Sequence, residues 1–317
     1  MSAKKVLIVQ YSQSGQLTSA VDSVTAPLKA ATDEIKVDTL TLCPEKPFPF
    51  PWPLINFFNI FPECVYLDPP VLKPLDIDTT QKYDLIIIAY QVWFLSPSMP
   101  VTAFLKSQQG KDLLRDTPVI TLIGCRNMWV MAQEAMKKLL KDAKALLIDN
   151  IVLTDQGSTL ASFITTPRWV LTGKKNAFWG FPAAGIASKD IESAKRFGHA
   201  IRDALAQNRE KEHKPLLNGL GATNVDVSLV QSEKAGYRSF VVWGKLLRAI
   251  GKPGNLLRKL VLVFYIIFLI ALIITVVPVT MTLQILLRPL FKKKFQLLKE
   301  HYELPSGSAT NRIKDFS

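Results

Sequence analysis

The sequence contains few of the residues that metal centres and disulfide-bonded folds require. Its 317 residues include only three histidines and three cysteines. Cys43, Cys64 and Cys125 are an odd number and lie at no C-x-x-C or metal-like spacing. This argues against a disulfide framework and favours a reducing compartment. The histidines have no metal-ligand spacing either, so we expect no metal site.

The common nucleotide fingerprints are missing as well. The chain has neither G-x-x-x-x-G-K-[ST] nor G-x-G-x-x-G, which argues against a nucleotide triphosphate or a dinucleotide held by its pyrophosphate. No cleavable apolar segment precedes the first apolar run. We therefore expect the N-terminal part of the chain to face the cytoplasm.

Negative charge is scarce in the last third of the chain. Residues 211–317 carry 16 Lys and Arg against 6 Asp and Glu, whereas residues 1–210 carry 23 against 20. The basic excess flanks a long apolar segment instead of alternating with aromatic residues along a face. This arrangement favours anionic lipid headgroups as a partner and argues against nucleic acid.

Among the features that the sequence does contain, the most informative is the segment Lys4–Thr18. An apolar run, Val6–Val9, breaks into small polar residues around Gly15 and resumes as a helical pattern. Backbone N–H groups at the start of such a helix, with its dipole, form a cradle for an anion such as a phosphate. An ordinary strand-to-helix turn is the alternative interpretation.

Four further apolar runs predict a five-stranded parallel sheet. An alternating run suits an edge strand, and later runs that are apolar on both faces suit central strands. In a doubly wound sheet, the loops after strands one, three and four converge on one crevice. The four runs are Ile35–Leu42, Asp84–Tyr90, Thr117–Gly124 and Asn150–Asp155.

Two of those loops have the composition of a ligand site. Gln91-Val92-Trp93-Phe94 follows the central strand, and Gly124–Trp129 follows the next one. Aromatic residues at the carboxyl end of a central strand lie beside the crevice where open α/β sheets bind ligands. Core aromatic residues placed in a loop are the alternative.

Two long connections exceed what a simple turn needs. Cys43–Pro74 is rich in proline and aromatic residues; it is expected to be a lid or a lipid-facing segment, or else a loop that extends the core. Ser158–Ala187, which contains Trp169 and Trp179, is expected to form a second wall of the site. A capped helix, residues 189–207, closes a first domain of residues 1–207.

The remainder predicts a membrane anchor. Residues 208–239 suggest a connector, residues 240–295 an interfacial and transmembrane helical segment, and residues 296–317 a polar tail. Leu260–Leu287 has no charge and is long enough to span a bilayer, with Arg258 and Lys259 before it and Arg288 and Lys292–Lys294 after it. One tilted span is expected, with a re-entrant hairpin turning at Pro278 as the competitor. We expect the cytoplasmic membrane as the location.

The first loop resembles the phosphate loop of flavodoxin-like proteins, in which a hydroxyl-x-hydroxyl-glycine run holds the phosphate of FMN. Ser12, Ser14 and Gly15 match this run, whereas Leu17 replaces a hydroxyl residue found in many members. The aromatic loop is similar to the flavin-ring loop of the quinone-reductase branch. The resemblance covers residues 4–207 and implies a doubly wound α/β fold that binds FMN. The residues implied to bind it are Ser12, Ser14, Gly15, Gln16, Leu17, Gln91, Val92, Trp93, Phe94, Gly124, Arg126 and Asn127.

The start Tyr-Ser-Gln-Ser-Gly-Gln, the Asn-Met-Trp loop and the basic, apolar C-terminal extension resemble bacterial proteins called dialkylresorcinol condensing enzymes. Acyl condensation needs a supported cysteine nucleophile, which is missing here, so the resemblance implies a neighbouring redox step on a lipophilic ring compound. Aromatisation of a dione to a resorcinol would be such a step, with a ketosynthase or an acyl carrier protein as a candidate partner. An NAD(P)H:quinone reductase and a membrane scaffold without cofactor are the alternatives, and no catalytic residue is assigned.

Overall fold

The alternating side chains of the first strand pack into two separate hydrophobic cores. Val6 and Ile8 belong to one buried cluster and Leu7 and Val9 to the other, because successive side chains of a strand point to opposite faces. Both faces of the sheet are therefore covered. The computed structural model describes residues 3–287 and 292–316.

Five parallel strands form the sheet in the order β2-β1-β3-β5-β6, and the two-residue β4 pairs antiparallel with β3. This is the flavodoxin-like order, in which the direction of winding changes between β1 and β3. The predicted doubly wound, five-stranded α/β fold is confirmed. The strands are β1 (Lys4–Gln10), β2 (Ile35–Thr41), β3 (Leu85–Trp93), β4 (Ser96–Pro97), β5 (Pro118–Cys125) and β6 (Leu146–Thr154).

Helices cover both faces of the sheet and continue into a C-terminal extension. In the α/β part they are α1 (Gln16–Ala30), α2 (Leu54–Asn59), α3 (Phe61–Val65), α4 (Met99–Lys106), α5 (Gln108–Leu114), α6 (Val130–Asp142), α7 (Thr159–Thr172), α8 (Ser188–Ser193) and α9 (Lys195–Ala206). The extension contains α10 (Val227–Ile250), α11 (Leu256–Leu287) and α12 (Lys292–Glu303).

The proline-rich segment is more regular than its composition predicts. Pro53 lies at the N-cap of α2 and Pro62 in the first turn of α3, where a missing N–H group breaks no helical hydrogen bond. α3 packs against α10, and α2 packs against α11. A third hydrophobic cluster results, formed by Phe61, Leu247, Leu262, Tyr265 and Ile266. The segment thus extends the core as well as reaching the crevice.

The predicted connector, residues 208–239, is folded onto the sheet. Leu216, Leu217 and Leu220 are fully buried in the first cluster, and α10 begins at Val227, within the expected connector. In the sequence these leucines lie among glycines and polar residues, so no regular apolar pattern predicts that they are buried. The boundary expected at residue 239 falls inside a continuous helix.

The apolar run of the extension forms one helix, α11. Its segment Leu256–Thr275 is long and apolar enough to cross a membrane, with a mean hydropathy of 2.6. The helix continues through Pro278 instead of turning there. Arg288, expected to close the apolar run, lies outside the described residues.

The C-terminal tail returns to the α/β part. Tyr302 is buried in the second cluster, and the hydroxyl of Ser306 is fully buried beside β6. Backbone hydrogen bonds join Gly221 to Ala309 and Arg312 to Gly219. The tail, expected to be a polar appendage, is part of the folded unit.

Candidate functional site

The carboxyl ends of β1, β3 and β5 enclose a cavity of about 200 Å³. It lies where the winding of the sheet reverses, which is the position where open α/β sheets bind ligands. Nine predicted residues line it: Ser14, Gln16, Leu17, Gln91, Val92, Trp93, Phe94, Gly124 and Arg126. The predicted convergence of three loops is therefore present.

The other three predicted residues lie beside this cavity. Gly15 lines an open groove of about 770 Å³, which shares Ser14 and Gln16 with the cavity. The hydroxyl of Ser12 accepts the Thr18 N–H at 3.4 Å. The Asn127 side-chain amide donates to the Thr159 hydroxyl at 2.9 Å and so faces α7 instead of the cavity. Trp129, at the end of the same loop, is buried in the second cluster.

Gly15 allows the first loop to open toward a ligand. It has φ of 80° at the N-cap of α1 and carries no side chain that would cap the helix. An added Cβ would meet no heavy atom within 4 Å. The N-terminus of α1 is therefore open beside Gly15, where the helix dipole favours an anion, and in the same turn the Thr18 N–H donates to Ser12.

Gln16 holds two loops together. Its side-chain nitrogen donates to the Ile186 carbonyl at 3.1 Å, and its side-chain oxygen accepts the Ile186 N–H at 3.0 Å. Gly185, with φ of 89°, lies so close that a Cβ would approach the Gln16 oxygen to 2.4 Å. The side-chain amide is thus satisfied within the protein, and its role is to set the shape of the cavity.

Asp155 fixes the same region from the end of β6. Its carboxylate accepts the backbone N–H groups of Gly157 and Gly185, and its own N–H donates to the carbonyls of Cys125 and Arg126. Sequence reasoning missed Asp155 and Gly185. A carboxylate directly after a buried strand was the available signal for Asp155, whereas nothing near Gly185 in the sequence indicates its contact with Gln16.

Trp93 and Phe94 are neighbours in the chain but pack against different aromatic residues. Trp93 packs edge-on against Phe48 at 5.1 Å and Trp52 at 6.0 Å between ring centroids. Phe94, with a φ of 49°, packs against Phe57 at 4.9 Å and Phe240 at 5.6 Å. The positive φ turns the chain so that one wall of the cavity contacts both the proline-rich segment and the C-terminal helices.

α7 forms the opposite wall. Thr166, Trp169 and Val170 line the cavity, and the Trp52 N–H donates to the Val170 carbonyl at 2.8 Å. Trp169, in the segment Ser158–Ala187 that we expect to form a second wall, therefore lies at the site. Trp179, by contrast, is 93% exposed and does not line the cavity.

Arg126 brings a half-buried positive charge to the cavity. Its guanidinium carbon lies 3.9 Å from the centroid of the Phe163 ring, and burial lowers its pKa to about 10, against the opposing effect of Asp155. The group remains cationic at neutral pH and can stabilise negative charge on a bound ring. Burial also raises the pKa of the Cys125 thiol, so this cysteine is not an activated nucleophile.

Two buried polar atoms of the cavity wall have no partner within the described part of the chain. They are the side-chain oxygen of Gln91 and the hydroxyl of Thr166. Buried polar groups are normally hydrogen-bonded, so this pair is available to hydrogen-bond to a ligand in the cavity. In the same described residues, no three His, Cys, Asp or Glu side chains are placed to hold a metal ion.

α2 separates the cavity from the apolar helix α11. Phe57 lines the cavity, whereas Ile55 and Phe58 pack into the third hydrophobic cluster with Leu262 and Leu269 of α11. A single helical turn therefore has the site on one side and the apolar helix on the other.

No family model matches the chain, and no curated protein matches it. Solved structures to which it is similar include a flavoprotein in complex with FMN from Lactobacillus acidophilus, at 18% identity and a TM-score of 0.38, covering 48% of this chain and 93% of that chain. A flavodoxin, WrbA-like protein from Agrobacterium tumefaciens matches at 11% identity and 0.35, covering 67% and 100%. General stress protein 14 in complex with FMN from Treponema denticola matches at 10% identity and 0.31, covering 64% and 99%.

Proposed function

We propose that this chain is a membrane-associated, FMN-dependent oxidoreductase acting on a lipophilic ring compound. The observation that carries the proposal is the pairing of an open helix N-terminus at Gly15 with a cavity whose wall holds oxygens of Gln91 and Thr166 that have no partner among the described residues. These are the parts that a phosphate and a flat, polar-edged ring require.

The residues present fit FMN. The open groove at Gly15 would take the phosphate, and the cavity that shares Ser14 and Gln16 with it would take the ring. Gln91 and Thr166 would hydrogen-bond to the ring edge, while Trp93 would contact its apolar part. When bound, FMN supplies two-electron chemistry; Arg126 would stabilise negative charge at the ring.

The reaction we propose is aromatisation of a dialkyl cyclohexanedione to a dialkylresorcinol. This aromatisation requires loss of a hydride and a proton; bound FMN would accept the hydride and solvent the proton, so the protein need not provide a nucleophile. The protein binds the alkyl chains and excludes water through the aromatic walls around Trp93 and Trp169. The cavity and α11 lie on opposite sides of the single short helix α2. A lipid-dissolved substrate therefore has a short path from α11 to the site.

Quinone reduction by NAD(P)H is a second candidate, which the open groove favours. Lys175 and Lys195 line it beside the phosphate loop, and such cations suit the phosphates of a nicotinamide nucleotide. The two candidates differ in what reduces the flavin. In anaerobic stopped flow, we expect the dione to bleach the flavin; rapid bleaching by NAD(P)H with none by the dione would instead establish the reductase.

Cofactor binding is tested with two matched substitutions. Gly15 and Gly180 have φ of 80° and 81°, and neither has an atom within 4 Å of an added Cβ, so backbone strain is alike in Gly15→Asp and Gly180→Asp. Only the first places a carboxylate against the phosphate. We expect FMN affinity, measured by fluorescence titration in detergent, to fall on the order of a hundredfold for Gly15→Asp alone.

Wild-type protein that is colourless and binds no added FMN would remove the flavin proposal and leave a flavodoxin-like membrane scaffold. Equal losses in both aspartate variants would show that backbone strain, not the phosphate site, controls affinity. The proposed ketosynthase or acyl carrier protein partner is tested separately, by co-purification with the full chain.

A further inference from the structure

One side of α11 is packed against protein and the other is not. Leu262, Tyr265 and Ile266 are 1%, 0% and 6% exposed, whereas Phe264 and Ile267 are 62% and 63% exposed. The exposed side continues as an apolar stripe through Leu256, Leu257, Leu260, Ile270 and Ile274. A helix that is apolar all round needs an apolar environment on its second side.

The start of α11 is fixed to the α/β part by a buried charge. The Arg258 guanidinium donates to both carboxylate oxygens of Glu63, at 3.0 and 2.8 Å. It also donates to the side-chain and backbone oxygens of Asn59 and to the Gly251 carbonyl. Such a fully paired buried arginine does not leave its site without a large cost.

The end of α12 and the chain beyond it are fixed to the same body. The Ser306 hydroxyl donates to Asp149 at 2.6 Å and accepts the Asn150 N–H at 2.7 Å. The Glu303 carboxylate accepts the Val225 N–H at 3.1 Å. The start of α11 and the chain that follows α12 are therefore both held in the interior of one folded unit.

This arrangement does not allow α11 to cross a bilayer. A crossing would bring the tail to the far side, and the 18 residues between Leu287 and Ser306 would have to return it. Even as one continuous helix these residues would extend only about 27 Å at 1.5 Å per residue, against about 30 Å of hydrocarbon, and 12 of them belong to α12. This helix also begins with the exposed Lys292, Lys293 and Lys294, whose placement in hydrocarbon is costly.

We propose that α11 lies in one leaflet along the membrane surface, with its exposed apolar stripe in the lipid and the tail on the same side as the cavity. The partner is a bilayer surface rich in anionic headgroups, since the exposed Lys259 lies at the start of the stripe and the exposed Lys292–Lys294 follow it in the chain. The inference rests on the membrane association in the proposed function and replaces the expected tilted span with a one-sided attachment.

The topology is tested by labelling the exposed Thr310. Purified full chain carrying Thr310→Cys and Cys43→Ser is added to preformed vesicles of phosphatidylcholine and phosphatidylglycerol, floated, and treated with a membrane-impermeant maleimide. We expect the vesicle-bound protein to be labelled to the same extent as the protein without vesicles. Protection of the bound protein, reversed by detergent, would overturn the inference and establish a span. The Cys43→Ser parent measures background labelling.

The lipid-facing stripe is tested by vesicle flotation. Phe264→Asp with Ile267→Asp should lower the partition coefficient on the order of tenfold or more, whereas Val71→Asp, at an apolar position that is 66% exposed elsewhere, should not. Added salt should weaken binding of the wild type. Wild-type protein that does not float would refute membrane attachment, and equal effects of both substitutions would refute the stripe. FMN absorbance, read on the same samples, tests the cofactor proposal independently.

Discussion

The α/β part and the C-terminal extension differ in what holds them together. In residues 3–206 the strands are joined to one another by the backbone hydrogen bonds of the parallel sheet, and β6 also donates to the extension from Asn150 and Val152. Residues 216–316 contain helices and turns that depend on side chains inserted elsewhere: Leu217 into one face of the sheet and Val230 and Tyr302 into the other.

The difference shows that the extension is not an independent anchor. It covers both faces of the sheet and also contacts the site, since Phe240 of α10 packs against Phe94 of the cavity wall. The basic charge concentrated in this region therefore lies on a surface that is rigidly joined to the cavity. Attachment to a membrane would then fix the orientation of the site relative to the lipid.

The largest expected effect comes from removing the extension. Truncation after residue 207, the predicted end of the first domain, exposes both sheet faces where Leu216, Leu217 and Tyr302 pack. Burial of each leucine contributes about 2 kcal/mol to the free energy of unfolding, so the sum lost with the extension approaches the whole free energy of unfolding of a typical domain. We expect aggregation or a molten state by near-UV circular dichroism and thermal scanning.

A truncated chain that unfolds cooperatively near the wild-type temperature and binds FMN equally well would contradict this interdependence. It would restore the division of the chain into a domain and a separate anchor. Full-length protein in the same detergent is the control.

The sheet was predictable because its strands carry a strong local signal. Runs such as Asp84–Tyr90 and Thr117–Gly124 are apolar on both faces and end at polar or aromatic loops, and parallel topology then brings those loops together. β6 begins at Leu146, four residues before the predicted Asn150, because Leu146 and Leu147 pair with β5. The pairing is a property of the sheet, not of the local sequence.

The extension was predicted poorly because its structure depends on distant partners. Nothing near Ser306 in the sequence indicates a partner 157 residues earlier, at Asp149. The same holds in the site, where Gln16 meets Ile186 across 170 residues. Sequence patterns identified the loops that form the cavity, whereas the contacts that shape it come from tertiary packing.

A smaller and pH-dependent effect is expected at Glu233, where the two regions meet. This buried carboxylate of α10 accepts the Met131 N–H at 2.7 Å at the start of α6, beside the loop that carries Arg126. Burial raises its pKa to about 7, against the lowering effects of the Met131 and Val130 backbone hydrogen bonds and of Arg126. The folded state therefore holds the proton more tightly than the unfolded state, whose pKa is near 4.5.

It follows that the contribution of the Glu233 carboxyl group to the free energy of unfolding is complete below about pH 4.5 and is lost as the pH rises toward about 7. The free energy of unfolding changes by about 3 kcal/mol at most over this range. Glu233→Gln should flatten this part of the pH profile, measured by urea unfolding, while Glu192→Gln, an exposed residue of α8, should not. Identical profiles in wild type and Glu233→Gln would show that the carboxylate is not coupled to folding.

The smallest effect is expected from Ser306→Ala, which tests how firmly the tail is held. The substitution removes the hydrogen bond to Asp149 and the one accepted from the Asn150 N–H, while the Asp149 carboxylate also accepts the N–H groups of Leu216 and Leu217. Because those two donors remain, the carboxylate stays partly satisfied, and the cost should be about 1 to 2 kcal/mol. Ser193→Ala, which removes an exposed hydroxyl that donates to the Asp190 carbonyl and accepts from Arg196, should cost less than about 0.5 kcal/mol. Urea unfolding followed by tryptophan fluorescence measures both, and equal costs would mean that the buried tail contact adds nothing beyond a surface hydroxyl.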